Sequence, residues 1–409
     1  MRPKRGQAEE LVRELGVDCH GGEPPMALPD DAVQVTRVLE LASRRGWRVL
    51  PVGLGHQLPH LYANSGNFDL LLSTQRLQNI VQYEPGEATI TVEAGVLWQH
   101  VQKLADSNCQ SLSPHFAPDV PRTVGGVLAA GFSGFDRAWN GALRHQVLGM
   151  RVLMQDGSMA VTGGRLVKNV AGFDLHRLHT GARGQLGIIL EASLRLHNRP
   201  AQSVTLRQSF DSWTTCVAAA RRLHSARLPG SGILVALNGD GCARLDCCLK
   251  GPEGRVFDGL KAARLVMDFA ETLEDSAAFE ADAQHARAFD LDPKSAWLAI
   301  ACPPTEIEAV LETVQTWMGE QGLRASAILQ ADVAQWYWRL EGVEVLHGSG
   351  GVAAILGRLR GLGAESKPLG TLRSTLPKTD PASLGPAHFA SEAIRAQFDP
   401  ENRFQPHGN

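Results

Sequence analysis

Several common sequence features are missing from this chain, and each absence argues against a class of protein. Its seven cysteines never form Cys-x-x-Cys, so an iron–sulfur or zinc site built from them is not expected. The 40 basic residues do not outnumber the 43 acidic ones, which argues against nucleic acid as a partner. One of the longest charge-free apolar stretches, residues 123–135, is too short to cross a bilayer. We therefore expect no transmembrane segment.

The beginning of the sequence also lacks a targeting pattern. Residues 1–5 are basic, but Glu9 and Glu10 follow instead of an apolar segment, so we expect no signal peptide and a cytoplasmic location. An odd number of cysteines fits reduced thiols there. Hydrophobic residues make up 44% of the 409 residues and charged residues 20%, values typical of a globular protein of two or three domains.

The pattern of apolar residues changes near residue 200. Before that point, short strand patterns alternate with glycine turns, as in the alternating stretch 88–94. After it, residues 204–249 read as strand, helix, strand, strand, and residues 297–329 as strand, helix, strand. Paired units of this kind predict a ferredoxin-like sheet.

The first glycine cluster, Gly53-Leu54-Gly55, follows a predicted strand. A Rossmann site would need a helix next, but Pro59 stands where that helix should begin. A turn that directs successive backbone N–H groups at an anion fits better. The alternative is a pair of turn glycines with no ligand.

Two further clusters lie at residues 123–134 and 168–189. In the first, glycine and alanine keep one face low in bulk, which suits either a flat ligand or a tight helix–strand contact. In the second, a polar loop precedes Gly187 at a strand entry. That glycine suits either the edge of a planar heterocycle or a close strand contact.

Together, these clusters carry a resemblance. The order P-x-G-x-G, T-V-G-G-x-x-A-A-G, K-N-V-A-G-F-D-L and G-x-L-G-I-I-x-E resembles the PCMH-type FAD-binding domain of the vanillyl-alcohol oxidase family. Within that family it is most similar to the smaller flavin-binding subunits of bacterial glycolate oxidases. The similarity covers about residues 30–200, and a short echo returns at F-D-P and F-Q-P, residues 398–400 and 404–406.

The resemblance implies an α+β architecture. It predicts a PCMH-type FAD-binding domain of two α/β subdomains at residues 1–200 and a ferredoxin-like cap domain at residues 201–380. A C-terminal segment, residues 381–409, is expected to return to the FAD-binding domain.

The resemblance also implies a set of FAD-binding residues. The loop expected to hold the diphosphate comprises Gly53, Leu54, Gly55, His56 and Gln57. Those expected beside the rest of the cofactor are Pro114, Asp119, Thr123, Gly125, Gly126, Ala130, Gly134, Arg144, Val147, Gly187 and Ile189. Some members of the wider family attach FAD covalently at the position of His56. We predict dissociable FAD with His56 close to it, and covalent attachment is the alternative.

The sequence departs from the family at positions that bear on catalysis. His145 follows Arg144 where the family has an acidic residue, and Phe173 replaces a tyrosine. The H-G-x-x-H cluster of the 2-hydroxy-acid dehydrogenases is missing, so no catalytic base is assigned. No metal site is expected either, because Pro59 breaks the spacing of His56 and His60.

The resemblance implies oxidation of a small 2-hydroxy acid within a glycolate oxidase complex. The expected partners are a second flavoprotein subunit and an iron–sulfur subunit, which could bring the chain to the membrane periphery. The missing histidine cluster favours an alternative, a non-catalytic scaffold that holds flavin or relays electrons. A nicotinamide-dependent reductase has no second nucleotide motif to support it.

Overall fold

A computed structural model describes most of the chain. The described residues are 7–56, 68–116, 120–131, 133–134, 137–164, 174–228, 231–273, 296–331, 334–341, 350–370, 394–399, 401 and 404. The chain divides into two compact units. Unit 1 comprises residues 1–134, 140–199 and 379–409, and unit 2 comprises residues 135–139 and 200–378.

Helices and strands alternate along both units. The described helices are α1 Gln7–Glu14, α2 Ala32–Arg45, α3 Trp98–Asp106, α4 Val124–Ala130, α5 Arg137–Asn140, α6 Leu143–Gln146, α7 Leu175–His179, α8 Trp213–Ser225, α9 Glu253–Arg264, α10 Ile307–Gln321 and α11 Gly350–Gly361. The described strands are β1 Asp18–His20, β2 Met26–Leu28, β3 Val49–Val52, β4 Leu70–Ser73, β5 Ile80–Glu84, β6 Thr89–Glu93, β7 Gln110–Ser111, β8 Val147–Leu153, β9 Met159–Gly163, β10 Ile188–Arg195, β11 His197–Asn198, β12 Gln202–Phe210, β13 Ser231–Leu237, β14 Ala243–Gly251, β15 Glu271–Leu273, β16 Ala296–Ala301, β17 Arg324–Gln330, β18 Gln335–Glu341 and β19 Glu365–Gly370.

The first sheet of unit 1 has the order β1-β2-β4-β3, with β4 parallel to both β2 and β3. Helix α2 covers it with an apolar face that includes Val35, Val38 and Leu39. The helix begins after Asp31, whose carboxylate accepts a hydrogen bond from the N–H of Gln34 at 2.7 Å and caps the helix. Strands β3 and β4 therefore end at the same edge of the sheet.

The second sheet of unit 1 is antiparallel, with the order β5-β6-β10-β8-β9. The predicted strand at residues 88–94 is confirmed as β6. Both faces of β6 are nevertheless buried from Thr89 to Val92. The alternation of residue types along β6 therefore does not mark an exposed face.

Unit 2 contains one antiparallel sheet of eight strands in the order β15-β12-β14-β13-β17-β18-β16-β19. Each half has the connectivity and strand order of a ferredoxin-like fold. In the first half α8 and α9 connect the strands, and in the second α10 and α11 do so. The halves join where β13 pairs with β17.

Helices α8, α9, α10 and α11 pack on one face of this sheet. Their core includes Trp317, Trp336 and Trp338, and the rings of the last two stack at 5.3 Å. On the opposite face, Trp139 packs with Leu234 and Cys248. A Cβ on Gly232 would lie 2.5 Å from the Trp139 ring, so glycine is needed there for the ring to fit.

The end of the chain contributes to unit 1. The Phe398 ring contacts His179 edge-on at 5.9 Å. The buried Asp399 carboxylate accepts a hydrogen bond from the N–H of Phe404 at 3.0 Å, and Phe404 lies in the core beneath α2. The first phenylalanine of each of the two echoed motifs thus contacts unit 1, and Phe404 places its ring in this core.

The described residues lack two kinds of feature, a membrane-spanning helix and a metal-ligating cluster. No helix among them is both long and apolar enough to span a bilayer. They also hold no group of three His, Cys, Asp or Glu side chains placed to ligate a metal ion.

Candidate cofactor-binding site

The loop that follows β3 is fixed by the end of β4. The hydroxyl of Ser73 donates to the carbonyl of Gly53 at 3.0 Å, and the N–H of Thr74 donates to the carbonyl of Val52 at 2.9 Å. Gly55 has a φ of +81°, a left-handed conformation that favours glycine. These contacts hold Gly53–His56 in a turn at the edge of the first sheet.

Thr123 brings the second predicted cluster against this loop. A Cβ on Gly53 would lie 2.1 Å from the Thr123 Oγ1 atom, so the two segments approach more closely than a side chain at residue 53 permits. The same hydroxyl accepts a hydrogen bond from the N–H of Gly126 at 3.2 Å and caps α4. Gly53, Thr123 and Gly126, which the sequence predicts as one site, are thus brought together.

The sequence allows two interpretations of the small residues in α4, a tight helix–strand contact or a surface for a flat ligand. The structure supports each of them at a different position. On the buried side of α4, a Cβ on Gly125 would lie 2.8 Å from the Cβ of Ala94. The N–H of Gly125 donates a hydrogen bond to the Ala94 carbonyl, also at 2.8 Å. Gly125 therefore serves a close helix–strand contact. On the other side, Gly126 and Ala130 are partly exposed, which leaves a surface of low bulk beside Thr123.

The end of α4 meets the third cluster. A Cβ on Gly131 would lie 2.4 Å from the Gly181 Cα atom. The N–H of Gly181 donates to the carbonyl of Leu128, and that of Arg183 to the carbonyl of Ala129, both at 2.9 Å. All three glycine clusters thus connect through α4.

Gly187 and Ile189 lie at the start of β10. A Cβ on Gly187 would lie 2.7 Å from the Val152 Cγ1 atom, which supports the interpretation as a close strand contact. Ile188 and Leu190 belong to the core beneath α2. Ile189 therefore lies on the opposite face of the strand, where it is also buried.

The remaining predicted residues have varied surroundings. The buried carbonyl of Pro114 accepts hydrogen bonds from Trp98 Nε1 at 2.8 Å and Gln102 Nε2 at 3.2 Å. Arg144 is exposed and its Nε donates to His145 Nε2 at 3.5 Å. Buried positions among the predicted set also include Gly134 and Val147.

Several residues considered from the sequence lie outside the described residues. They are Gln57, Pro59, His60, Asp119, Phe173, His347, His388 and Gln405, together with residues 168–172 of the K-N-V-A-G-F-D-L motif.

Two residues near the loop, Gly95 and Arg122, are not part of the site predicted from the sequence. A Cβ on Gly95 would lie 2.2 Å from the Thr74 carbonyl oxygen, and the only signal was a glycine directly after a strand. Arg122 is almost buried, and its guanidinium lies over the Phe116 ring at 4.6 Å. Partial burial, and then the charge of Arg122, lower the pKa of His56. His56 is therefore neutral at pH 7.

Two other histidines of unit 1 are buried in its interior. Burial lowers the pKa of His179 to about 4, and it also lowers the pKa of His176. A Cβ on Gly163 would lie 3.0 Å from the His176 Nδ1 atom. Both imidazoles are therefore neutral groups of the core at pH 7, and neither is placed as an exposed base.

The chain fits a dinucleotide such as FAD at this loop. An anionic, flat cofactor requires a backbone that it can approach closely, a helix surface of low bulk and a nearby arginine. The described residues provide these three features. Held there, FAD would lie against Gly53–His56 and the Thr123 end of α4.

The comparison with protein families agrees with this geometry. Residues 25–163 match the family described as FAD binding domain. This segment is an FAD-binding domain, and FAD is its cofactor.

The chain is similar to glycolate oxidase subunits and to a D-lactate dehydrogenase. The glycolate oxidase subunit GlcE of Escherichia coli is 35% identical over 190 residues, which cover 46% of this chain and 51% of that protein. The glycolate oxidase subunit GlcD of Bacillus subtilis is 28% identical over 185 residues, covering 45% and 39%. The mitochondrial D-lactate dehydrogenase [cytochrome] 1 of Saccharomyces cerevisiae is 26% identical over 200 residues, covering 48% and 33%. The chain thus matches about half of these relatives' length or less.

Solved structures extend the likeness to nearly the whole chain. A variant of the BBE-like 1 protein of Physcomitrella patens superposes with a TM-score of 0.70 over 98% of both chains, at 13% identity. Alkyldihydroxyacetonephosphate synthase gives a TM-score of 0.67 over 94% of this chain and 76% of that one, at 15% identity. The predicted α+β fold class is confirmed.

Proposed function

We propose that this chain is an FAD-dependent oxidoreductase that acts on a small 2-hydroxy acid such as glycolate, as one subunit of a glycolate oxidase or dehydrogenase complex. The observation that carries the proposal is the close approach of Gly53 to Thr123, which joins the two predicted FAD-binding segments at the edge of the first sheet. The names of the relatives supply the substrate class.

The residues of the loop and of α4 hold and orient the cofactor. The chemistry that bound FAD would supply is acceptance of a hydride from the α-carbon of a 2-hydroxy acid. The backbone of Gly53–His56 offers N–H groups to the diphosphate, and Ser73 keeps this backbone in place through the Gly53 carbonyl. Gly126 and Ala130 keep the adjoining helix surface clear of bulky side chains.

A second function stays open because the chain lacks a recognisable base. The sequence contains no H-G-x-x-H cluster, and two of the described histidines, His176 and His179, are buried in unit 1. This favours the alternative of a subunit that holds flavin or relays electrons without oxidising the substrate itself.

The proposed partners are a second flavoprotein subunit and an iron–sulfur subunit. The absence of Cys-x-x-Cys supports an iron–sulfur cluster on another chain. Burial raises the pKa of Cys216 to about 12 and that of Cys302 to about 11, so these thiols stay protonated and suit a structural role. We place the complex in the cytoplasm, at the membrane periphery through its partners.

Substrate-dependent bleaching of the flavin tests the proposed reaction. The purified full-length chain, supplied with FAD, should show the visible absorption of a bound flavin. Anaerobic glycolate, D-lactate or D-2-hydroxyglutarate should bleach it, either in the chain alone or in the complex purified from the native host. If the flavin of this chain is bleached only when the partners are present, and is no longer bleached after inactivation of the partner flavin, the result supports the scaffold function. A folded chain that stays colourless in excess FAD contradicts both functions.

Acid precipitation tests the prediction of dissociable FAD. His56 is exposed on the loop, and we expect it to contact FAD without a covalent bond. Yellow colour should remain in the supernatant after precipitation with trichloroacetic acid. Colour that stays in the pellet of the wild-type protein, and is lost in His56→Ala, would instead show a covalent histidyl linkage.

A further inference from the structure

Gly95 is crowded on one side by the backbone of the turn that follows β4. A Cβ at this position would lie 2.2 Å from the carbonyl oxygen of Thr74, and 2.7 Å from those of Gln75 and Leu77. The N–H of Gly95 donates a hydrogen bond to the Leu77 carbonyl at 2.8 Å. The φ of Gly95 lies outside the left-handed region, so glycine is needed there for space and not for backbone conformation. The turn at residues 74–77 can lie against residue 95 only because that residue has no side chain.

The same turn holds the Gly53–His56 loop. Ser73, the last residue of β4, donates its hydroxyl to the Gly53 carbonyl at 3.0 Å. The N–H of Thr74 donates to the Val52 carbonyl at 2.9 Å. A shift of the turn would therefore move the loop.

The neighbours of Gly95 in the sequence hold the N-terminus of α4. The Ala94 carbonyl accepts a hydrogen bond from the N–H of Gly125, and the Val96 carbonyl accepts one from the N–H of Val124, both at 2.8 Å. These bonds lie on either side of Gly95 along the chain. A shift of the main chain at residue 95 would therefore move the start of the helix.

We propose that Gly95 is a positioning residue for FAD, which sets the distance between the Gly53–His56 loop and the N-terminus of α4. This inference rests on the proposed function, in which those two segments hold the cofactor. The turn at residues 74–77 reaches the loop, and residues 94–96 reach the helix, so the two sets of contacts meet at Gly95. A side chain there would push the turn away from residues 94–96, and the loop and the helix could not both keep their positions. Gly95 thus acts through these two segments.

Substitution of Gly95 tests the assignment. The full-length apoprotein of Gly95→Ala is titrated with FAD, and its Kd should rise about 10- to 100-fold, because the added methyl group displaces backbone that cannot rotate out of the way. The FAD that still binds should have a visible circular dichroism spectrum different from that of the wild-type holoprotein, because its surroundings have shifted. The melting temperature of each apoprotein is measured alongside.

Two control variants separate positioning from a general loss of stability. Gly86→Ala adds the same methyl group to unit 1 at a position where a Cβ meets no atom within 4 Å, and it should bind FAD as the wild type does. Val12→Ala truncates a fully buried side chain of α1. It should lower the melting temperature but leave the FAD Kd and the circular dichroism of bound FAD unchanged at a temperature where the variant is folded.

Hydrogen exchange in the wild-type protein gives a test that does not depend on the folding of a variant. Binding of FAD should slow exchange at residues 74–77, 94–96 and 124–125 together, because the cofactor would stabilise the contacts that join them. The turn of unit 2 in which the N–H of Gly241 donates to the Asn238 carbonyl at 3.1 Å serves as the reference and should exchange at an unchanged rate.

Three results would overturn the assignment. The first is a Gly95→Ala variant that binds FAD with the wild-type Kd. The second is an equal rise of the Kd in Gly95→Ala and Val12→Ala at an equal loss of melting temperature, which would show that Gly95 only supports the structure. The third is exchange at residues 74–77 and 94–96 that bound FAD does not slow. A folded wild-type protein that binds no FAD would instead contradict the proposed function itself.

Discussion

Replacing Gly53 with alanine should abolish FAD binding, with a rise of the Kd by at least about 100-fold, since a Cβ cannot share space with a hydroxyl oxygen. The new Cβ would lie 2.1 Å from the Thr123 Oγ1 atom. Either the loop or the N-terminus of α4 must then move. Both are parts of the proposed FAD-binding site, and together we call them the cradle. Titration of the apoprotein with FAD measures the effect, and circular dichroism of the apoprotein reports its fold.

A control and a rescue show whether this close approach is the cause. Gly86→Ala lies in the same unit at a position where a Cβ meets no atom within 4 Å, so it should bind FAD normally. Thr123→Ala loses the cap of α4 and should weaken binding by itself. If the overlap explains the loss, the double variant Gly53→Ala/Thr123→Ala should bind FAD better than Gly53→Ala. Normal binding by Gly53→Ala would contradict the cradle.

Replacing Phe404 with alanine should lower the free energy of unfolding of unit 1 by about 3–5 kcal/mol, the usual cost of truncating a buried phenylalanine. Phe404 is fully buried in the core that includes Val49 of β3 and Leu70 of β4. Those two strands end at the loop, so FAD affinity should fall as well. Calorimetry should show the transition of unit 1 at a lower temperature.

An exposed phenylalanine provides the control for this truncation. Phe269 is 89% exposed in unit 2, so Phe269→Ala should leave both transitions almost unchanged. A melting profile of Phe404→Ala that equals the wild-type profile would contradict the burial of the C-terminal segment.

The sequence predicts the cradle because glycine marks positions where a side chain cannot fit. Gly53 and Gly125 both stand at close approaches, and the composition of their segments shows that bulk is excluded. It does not show what excludes it. The neighbour of Gly125 is Ala94, a residue of this chain, whereas Gly126 lies on a partly exposed surface.

Arg122 could not be singled out from the sequence because its contacts depend on distant parts of the chain. Its stacking on Phe116 and its effect on His56 arise when α3, α4 and the loop come together. Local patterns of charge carry no record of such contacts. A lone arginine beside a helix start is most often a solvated surface residue.

The sheet of unit 2 was predicted only in part for a related reason. Longer strands such as β12 and β14 have the alternation that predicts them, but β15 has only three residues. It pairs with residues 205–207 of β12, and its own composition does not predict this pairing. Each half is therefore more complete than the sequence predicted.

Within the sheet, the two halves of unit 2 meet where β13 pairs with β17, and each of these is the second strand of its half. Either half alone would leave that strand as an open edge, with unpaired N–H and C=O groups ready to bind another strand. Two copies of one such half could pair across the same seam as a symmetric dimer. The arrangement is what duplication and fusion of a self-pairing ancestral half would produce. After fusion the two halves could diverge independently, because each kept its own helices and its own share of the core.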